Sequence, residues 1–308
     1  MALPCFDDAN GGSPICQVLL EGGQLIVRVL VDDLEVKRAV RDGVCRNRLQ
    51  ELTRTHRSAL LDGWAPSPFD LWSSATEAYL AEVYQIVSGL VVDLVGHYAR
   101  IGLAVNDPVL WSLPIETAHN PDGACVVDLT QVYRLVPEPR PGFRYFTSEG
   151  RRGFRLELAP CDNSGLHSVQ AEQVLVRAVH QARIPHWLDD GPAANRGKKP
   201  CPLVHLVGHE PTLGKVQGQI AELDPDDNAH IVGSGCDSLP RCLAPGVSSA
   251  TGTLWPIDDL ANASFVATFH ARLAIGVAPA EALRQAQLLH RTAPPVIWAP
   301  YVHVGQAY

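Results

Sequence analysis

Two short apolar runs in the second half of the chain, Leu203–Val207 and Ala229–Val232, have the length and composition of buried strands. Period-2 alternation puts Leu203, His205 and Val207 on one face of the first, with Val204 and Leu206 on the other. The same kind of reading runs along the rest of the chain. Residues 1–14 read as a loose leader, and Gln24–Asp32, rich in branched aliphatics, as a strand. Val44–Leu61, polar with spaced leucines, reads as a surface helix, and Pro66–Pro68 as a loop. Leu71–Ile101 carries a long helical pattern, with Leu80, Val83, Ile86, Val87, Leu90, Val91, Leu94 and Val95 at helical spacing. Pro108–Leu113 predicts a short strand and Val126–Val136 an extended stretch.

The proline-rich Pro137–Pro141 marks a boundary between an N-terminal lobe, residues 1–140, and a C-terminal lobe, residues 141–308. In the second lobe Phe154–Leu158 alternates like a strand. Ser168–Arg183 shows a helical stripe of Val169, Val174, Leu175, Ala178 and Val179. After the basic loop Ala193–Pro200 come the strand at Leu203, a helix over Leu213–Leu223, the strand at Ala229 and a further strand over Val247–Leu254. A helix opening at Pro256–Asp259 runs to Ile275 with Gly276 behind it, another runs from Pro279 to Arg291, and Ile297–Val304 closes the lobe as a strand. Strands alternating with helices predict an α/β fold built on a mainly parallel sheet with helices on both faces.

Composition narrows the partners. Of the 308 residues, 46% are hydrophobic and 19% charged, the balance of an ordinary folded chain. The net charge is −8 with a pI near 5.8, so the basic surface expected of a direct nucleic-acid binder is missing. The N-terminus lacks the basic start and apolar core of a signal peptide, and the apolar run Val87–Val95 is broken by Ser88, Gly89 and Asp93. The expectation is a cytoplasmic protein that does not enter a membrane. Its eight cysteines show neither a CxxC pair nor zinc-ligand spacing, so most read as small buried hydrophobes. His205 and His209 have no third ligand at a suitable spacing, and the expected chemistry needs neither metal nor cofactor.

One cysteine stands apart by its surroundings. Cys236 follows the apolar strand at Ala229 after the small-residue turn Gly233-Ser-Gly235, and His209 follows Gly208 just past the strand at Leu203. Their separation of 27 positions fits one βαβ unit. Such a unit makes its strands parallel and often adjacent, about 4.8 Å apart, so both side chains can face one cleft at the carboxyl ends. An imidazole beside a thiol promotes the thiolate, which attacks a carbonyl; the protonated ring then supplies the leaving amine with a proton. Backbone N–H groups of Cys236 and of a residue among Gly208, His209 and Glu210 are candidate oxyanion donors. Gly235 leaves the thiol accessible. Against this stands the ordinary role of a lone histidine or cysteine at a strand end, which is packing. His205, inside an apolar strand, reads as a buried, hydrogen-bonded histidine, and Cys242 as core.

Read together, these segments resemble the CHAT domain family, caspase-like peptidases related to separase. His205-Leu-Val-Gly-His209-Glu210 is similar to the family's His-x-x-x-His-Gly, and Val232-Gly-Ser-Gly-Cys236-Asp237-Ser238 to its nucleophile segment. The segment from Gly246 through Thr253-Leu-Trp-Pro-Ile-Asp-Asp259 is the most specific match. Ala278–Gln287, Trp298–Gly305 and, upstream, Asn106–Thr117 and Gln131–Pro137 follow in the family's order. Glu210 stands where the family has glycine and Gly235 where it has alanine, and the stretches on either side of Cys236 are short for the family.

The resemblance implies a caspase-like, mainly parallel sheet flanked by helices on both faces, with an N-terminal α/β lobe packed on the catalytic lobe. It implies a cysteine endopeptidase with Cys236 as nucleophile and His209 as base, acting on a protein or peptide substrate in regulated proteolysis or bacterial immunity, with a sensor or activator protein as a further partner. Trp255 and the residues before it would line a substrate groove, where an extended peptide can pair with a strand edge, or would pack in the core. Asp258 and Asp259 would meet a basic substrate side chain or charge the start of the following helix. Two rival readings remain open: a catalytically degenerate module serving as scaffold or partner-activated switch, and a Cys–His amidase acting on a small substrate.

Overall fold

The structure is a computed structural model that describes residues 14–62, 69–135, 154–158, 167–183, 201–207, 229–243 and 247–305. The chain divides into two compact units, residues 1–137 with 294–299, and residues 138–293 with 300–306.

The first unit begins with three antiparallel strands, β1 (Ile15–Glu21), β2 (Gln24–Val31) and β3 (Leu34–Asp42). The turns between them are two residues long. Gly22 and Gly23 have φ of 57° and 80°, and Asp32 and Asp33 have φ of 49° and 64°, the left-handed pair that matches strand twist in a tight hairpin. Helix α1 (Arg46–Asp62) follows, then α2 (Phe69–Val83), a π-helical turn over Tyr84–Ser88, and α3 (Gly89–Val95). Strands β4 (Arg100–Val105) and β5 (Gln131–Arg134) complete the strand order β3-β2-β1-β4-β5, with β1, β4 and β5 mutually parallel where they pair.

Four expectations need correction here. Strands β1 and β3 flank the one expected strand, and both were missed. The long helical pattern ends at Val95, because Gly96 follows and Arg100 already starts β4. Pro108–Leu113 is not a strand: Asp107 accepts the Val109 N–H at 2.8 Å and Pro108 opens a helical turn, Pro108–Trp111. Val126–Val136 begins as a helical turn, Val126–Leu129, before β5. Among the described residues one helical stretch, Trp72–Val95, is long and apolar enough to cross a membrane, and 44% of its apolar window is buried within the protein.

The second unit contains β6 (Phe154–Leu158), α4 (His167–Arg183), β7 (Cys201–Leu206), β8 (Ala229–Gly233), β9 (Val247–Thr253), α5 (Asp259–Ala274), α6 (Pro279–Leu289) and β10 (Tyr301–Val304). The order is β10-β9-β8-β7-β6, parallel from β6 to β9, with β10 antiparallel to β9. The His205 face of this sheet meets α4 and α5 through hydrogen bonds. On the opposite face a helical turn, Leu239–Cys242, approaches so closely that a Cβ on Gly233 would lie 2.6 Å from Cys242 Sγ, and one on Gly252 2.8 Å from Leu239 Cα. The mainly parallel sheet covered on both faces is the expected architecture. Ile297 was expected to begin the last strand, but Pro295–Trp298 is a helical turn and β10 starts at Tyr301. The expectations for residues 1–13, Pro66–Pro68, Pro137–Pro141, Ala193–Pro200 and Leu213–Leu223 fall outside the described residues.

Candidate active site

Strands β7 and β8 are parallel neighbours, with Leu206 in register with Gly233. Ser234 extends that ladder by one bond, its N–H donating to the Leu206 carbonyl at 2.9 Å. Beyond it the chain turns through Gly235 and Cys236 to Asp237, whose φ of 50° is left-handed, a conformation aspartate tolerates better than most residues. Ser238 fastens the turn by donating its hydroxyl to the Gly233 carbonyl at 2.8 Å.

Thr253, the last residue of β9, holds the turn from the side. Its hydroxyl donates to the Gly235 carbonyl at 2.6 Å and accepts the Ser238 N–H at 3.1 Å, while its own N–H donates to Ser238 Oγ at 3.0 Å. The sequence Ser-Gly-Cys-Asp-Ser suits this closure, since Ser238 supplies both a hydroxyl and an N–H to it and Gly235 a carbonyl. Cys236 is half-buried, with Sγ 3.9 Å from the Ile257 carbonyl. A thiol held beyond the carboxyl end of a parallel strand, and partly open to solvent, occupies the usual position of a reactive group in an open α/β sheet.

Gly208, His209 and Glu210 lie outside the described residues. Along the chain, His209 stands three residues beyond Leu206, as Cys236 stands three beyond its register partner Gly233. Gly235 is buried within the turn. Trp255 is 2% exposed, and Leu254 beside it donates its N–H to the Pro300 carbonyl at 3.0 Å. Strand β9 pairs with β8 from Val247 to Thr251 on one side and with β10 from Ala250 to Thr253 on the other. Asp258 is the N-cap of α5, its Oδ1 accepting the Ala261 N–H at 2.8 Å. Asp259 is the first residue of that helix.

Sequence patterning missed a buried polar chain behind the turn. Glu172 Oε1, on α4, accepts from Ser234 Oγ at 2.5 Å and lies 2.9 Å from His205 Nε2. His205 Nδ1 is 3.1 Å from His270 Nε2 on α5, and His270 Nδ1 is 3.1 Å from His180 Nε2 on α4. Burial, with His205 nearby, pushes the His180 pKa down to about 4. Burial pushes that of His270 well down, reinforced by His205, His180 and His230. The expected stripe on α4 placed Val174 and Leu175 inward, but they are 66% and 43% exposed. The buried face is Val169, Glu172, Val176 and His180, whose spacing is helical although half of its members are polar. The signal was present in the spacing and hidden by the choice of apolar residues alone.

Residues 230–306, from β8 through β10, match the CHAT domain family. No curated protein matches the sequence. In fold the chain is similar to two crystal structures of the Saccharomyces cerevisiae separase–securin complex. The one at 2.6 Å resolution gives a TM-score of 0.55 at 9% identity, and the one at 3.0 Å a TM-score of 0.55 at 10% identity. In both, 96% of this chain is covered but only 30% of the matched chain, so it spans about a third of that length. The likeness is one of fold, the caspase-like fold of separase.

Proposed function

We propose that this chain is a caspase-like cysteine endopeptidase that cuts a specific protein partner, with Cys236 as nucleophile and His209 as general base. The observation that carries the reading is the position of Cys236. It sits in a fastened turn beyond the carboxyl end of β8, beside the parallel strand β7 that leads, three residues on, to His209. The match of residues 230–306 to the CHAT domain supports it independently.

The chemistry follows from the residue types. The imidazole of His209 takes the thiol proton, and the Cys236 thiolate adds to the peptide carbonyl. The oxyanion is met by the Cys236 N–H and a second donor among Gly208, His209 and Glu210. Collapse of the tetrahedral intermediate expels the amine, protonated by His209, and leaves a thioester that water then hydrolyses. Because β8 pairs with β9 only as far as Thr251, an extended substrate would run along the Gly252–Thr253 end of β9, toward Trp255. Asp258 already caps α5, so a basic substrate side chain would meet a carboxylate that one backbone N–H has partly engaged. We place the activity in the cytoplasm, in regulated proteolysis or bacterial defence, under the control of a sensor or activator protein.

Glu210, standing where the family has glycine, favours a second reading, a catalytically degenerate module acting as scaffold or switch. A peptide bearing a thiol-reactive electrophile separates the two. It should label Cys236 in the native protein and fail to label His209→Ala. Equal labelling of the two proteins sinks the peptidase reading and supports the scaffold. Cleavage of a proteome-derived peptide library then distinguishes an endopeptidase from an amidase acting on small substrates.

A further inference from the structure

We propose that Glu172 is a positioning residue for this site, a single carboxylate that clamps together the two chain segments leading to Cys236 and His209. The inference rests on the dyad reading above and adds to it a residue that touches neither the nucleophile nor the substrate.

The clamp is one oxygen atom wide. Glu172 Oε1 accepts from Ser234 Oγ at 2.5 Å and lies 2.9 Å from His205 Nε2. Ser234 stands two residues before Cys236, and His205 four residues before His209. Ser234 is tied a second time, by its N–H, to the Leu206 carbonyl at 2.9 Å, so the end of β8 is fixed to both α4 and β7. The three side chains are 2%, 2% and 0% exposed, and bulk water does not compete for these bonds. A buried carboxylate needs more than one donor to offset its desolvation, and here the two donors come from the two strands that carry the candidate dyad.

The histidines behind His205 extend the clamp to α5. His270 and His180 are 0% and 4% exposed, and burial keeps both neutral at neutral pH. A neutral imidazole has one N–H and one acceptor nitrogen. If His270 donates from Nε2 to His205 Nδ1, then His270 must accept from His180 Nε2 at its own Nδ1, and the two rings hand their donors toward His205, whose Nε2 faces Glu172 Oε1. Nothing in a hydrophobic core requires five linked polar groups on α4, α5, β7 and the end of β8. An apolar set of the same volume would pack at least as stably.

The test is the pH profile of Cys236 alkylation by iodoacetamide in the full-length protein, followed peptide by peptide so that Cys45 and the other thiols are counted apart. The variants are Glu172→Gln, which keeps the shape and replaces one carboxyl oxygen with an NH2 donor, Ser234→Ala, which removes one arm and leaves Glu172–His205 intact, and His209→Ala. Thermal unfolding checks that each is folded. In Glu172→Gln and Ser234→Ala the midpoint should rise by about one pH unit toward that of His209→Ala, which is about tenfold slower alkylation below the midpoint. Midpoints equal to the native one in both folded variants overturn the clamp, even where His209→Ala shifts and the dyad stands. A shift in Glu172→Gln and Ser234→Ala with none in His209→Ala supports the clamp and removes the dyad. Should Glu172→Gln fail to fold, Ser234→Ala alone decides.

Discussion

Thr253 Oγ1 donates to the Gly235 carbonyl at 2.6 Å, one residue before Cys236, and accepts the Ser238 N–H at 3.1 Å, two residues after it. One fully buried hydroxyl thus bridges the turn on both sides of the thiol. Thr253→Val keeps the shape and strands a buried carbonyl and a buried N–H. At about 1–3 kcal/mol for each orphaned group, the unit should lose about 2–6 kcal/mol of stability in urea unfolding. Cys236 alkylation should also change. Thr253→Ser keeps the hydroxyl and should recover most of the loss; equal damage from serine and valine would show that the methyl packing, not the bridge, matters.

Gly252 precedes that bridge and faces the other side of the sheet. A Cβ there would lie 2.8 Å from Leu239 Cα and 2.9 Å from Leu239 N, and both are backbone atoms that cannot rotate away. Gly252→Ala must push the Leu239–Cys242 turn off the sheet, and that turn follows directly on the Cys236 loop. The expected cost is about 1–3 kcal/mol, the usual range for overpacking. A melting temperature unchanged in Gly252→Ala would mean that the turn does not rest on β9 as described.

The parallel pair β7–β8 and the cysteine beyond it were legible because short apolar runs, a glycine-rich turn and one βαβ spacing are local signals. Glu172 was not, because its value depends on α4 being seated with a polar residue inward, and a tertiary partner such as Ser234 leaves no trace in helical periodicity. The hairpin strands escaped for a different reason. In β3, Leu34, Val36 and Val40 are 70%, 51% and 45% exposed, so its apolar residues do not mark a buried face. At Pro108 the apolar composition suggested a strand, while Asp107 as cap and proline at the first helical position decided for a helix. Where composition and capping disagreed, capping prevailed.

Arg134 on β5 is fully buried and carries a bidentate pair to Glu116, Nε to Oε1 at 2.5 Å and Nη2 to Oε2 at 2.6 Å. Nη1 donates to the Trp111 carbonyl, and Nη2 also donates to the Leu113 carbonyl. Glu116→Ala leaves the guanidinium buried without its counter-charge and should cost about 3–5 kcal/mol in urea unfolding. Replacing both residues by apolar ones removes the stranded charge but leaves the Trp111 carbonyl without its Arg134 donor, while the Leu113 carbonyl keeps the Ile115 N–H at 2.9 Å. The double variant should therefore recover only part of the loss. Full recovery would show that the Trp111 carbonyl finds water.

His56 gives the first unit a pH dependence whose sign can be worked out. The ring is 4% exposed, stacks on Tyr79 at 4.1 Å between centroids, and pairs with Thr76 Oγ1 at 3.2 Å. Burial, with Arg57 nearby, pushes its pKa down to about 4 from the ordinary 6.5. Between those two values the unfolded chain binds a proton that the folded chain refuses, so stability falls as pH falls. Above about pH 6.5 both states are neutral and there is no penalty. By pH 5 the penalty is about 2 kcal/mol, and below about pH 4 it levels off near 3 kcal/mol. His180, 4% exposed and also held at about 4, adds a term of the same sign in the second unit. The measurement is urea unfolding of the native protein and of His56→Gln at pH 7.5 and pH 5. Glutamine can still meet Thr76 but does not titrate, so the variant should lose about 2 kcal/mol less than the native protein between the two pH values. Equal losses would mean that His56 is protonated in the folded chain, and the buried stack on Tyr79 would have to open to allow it.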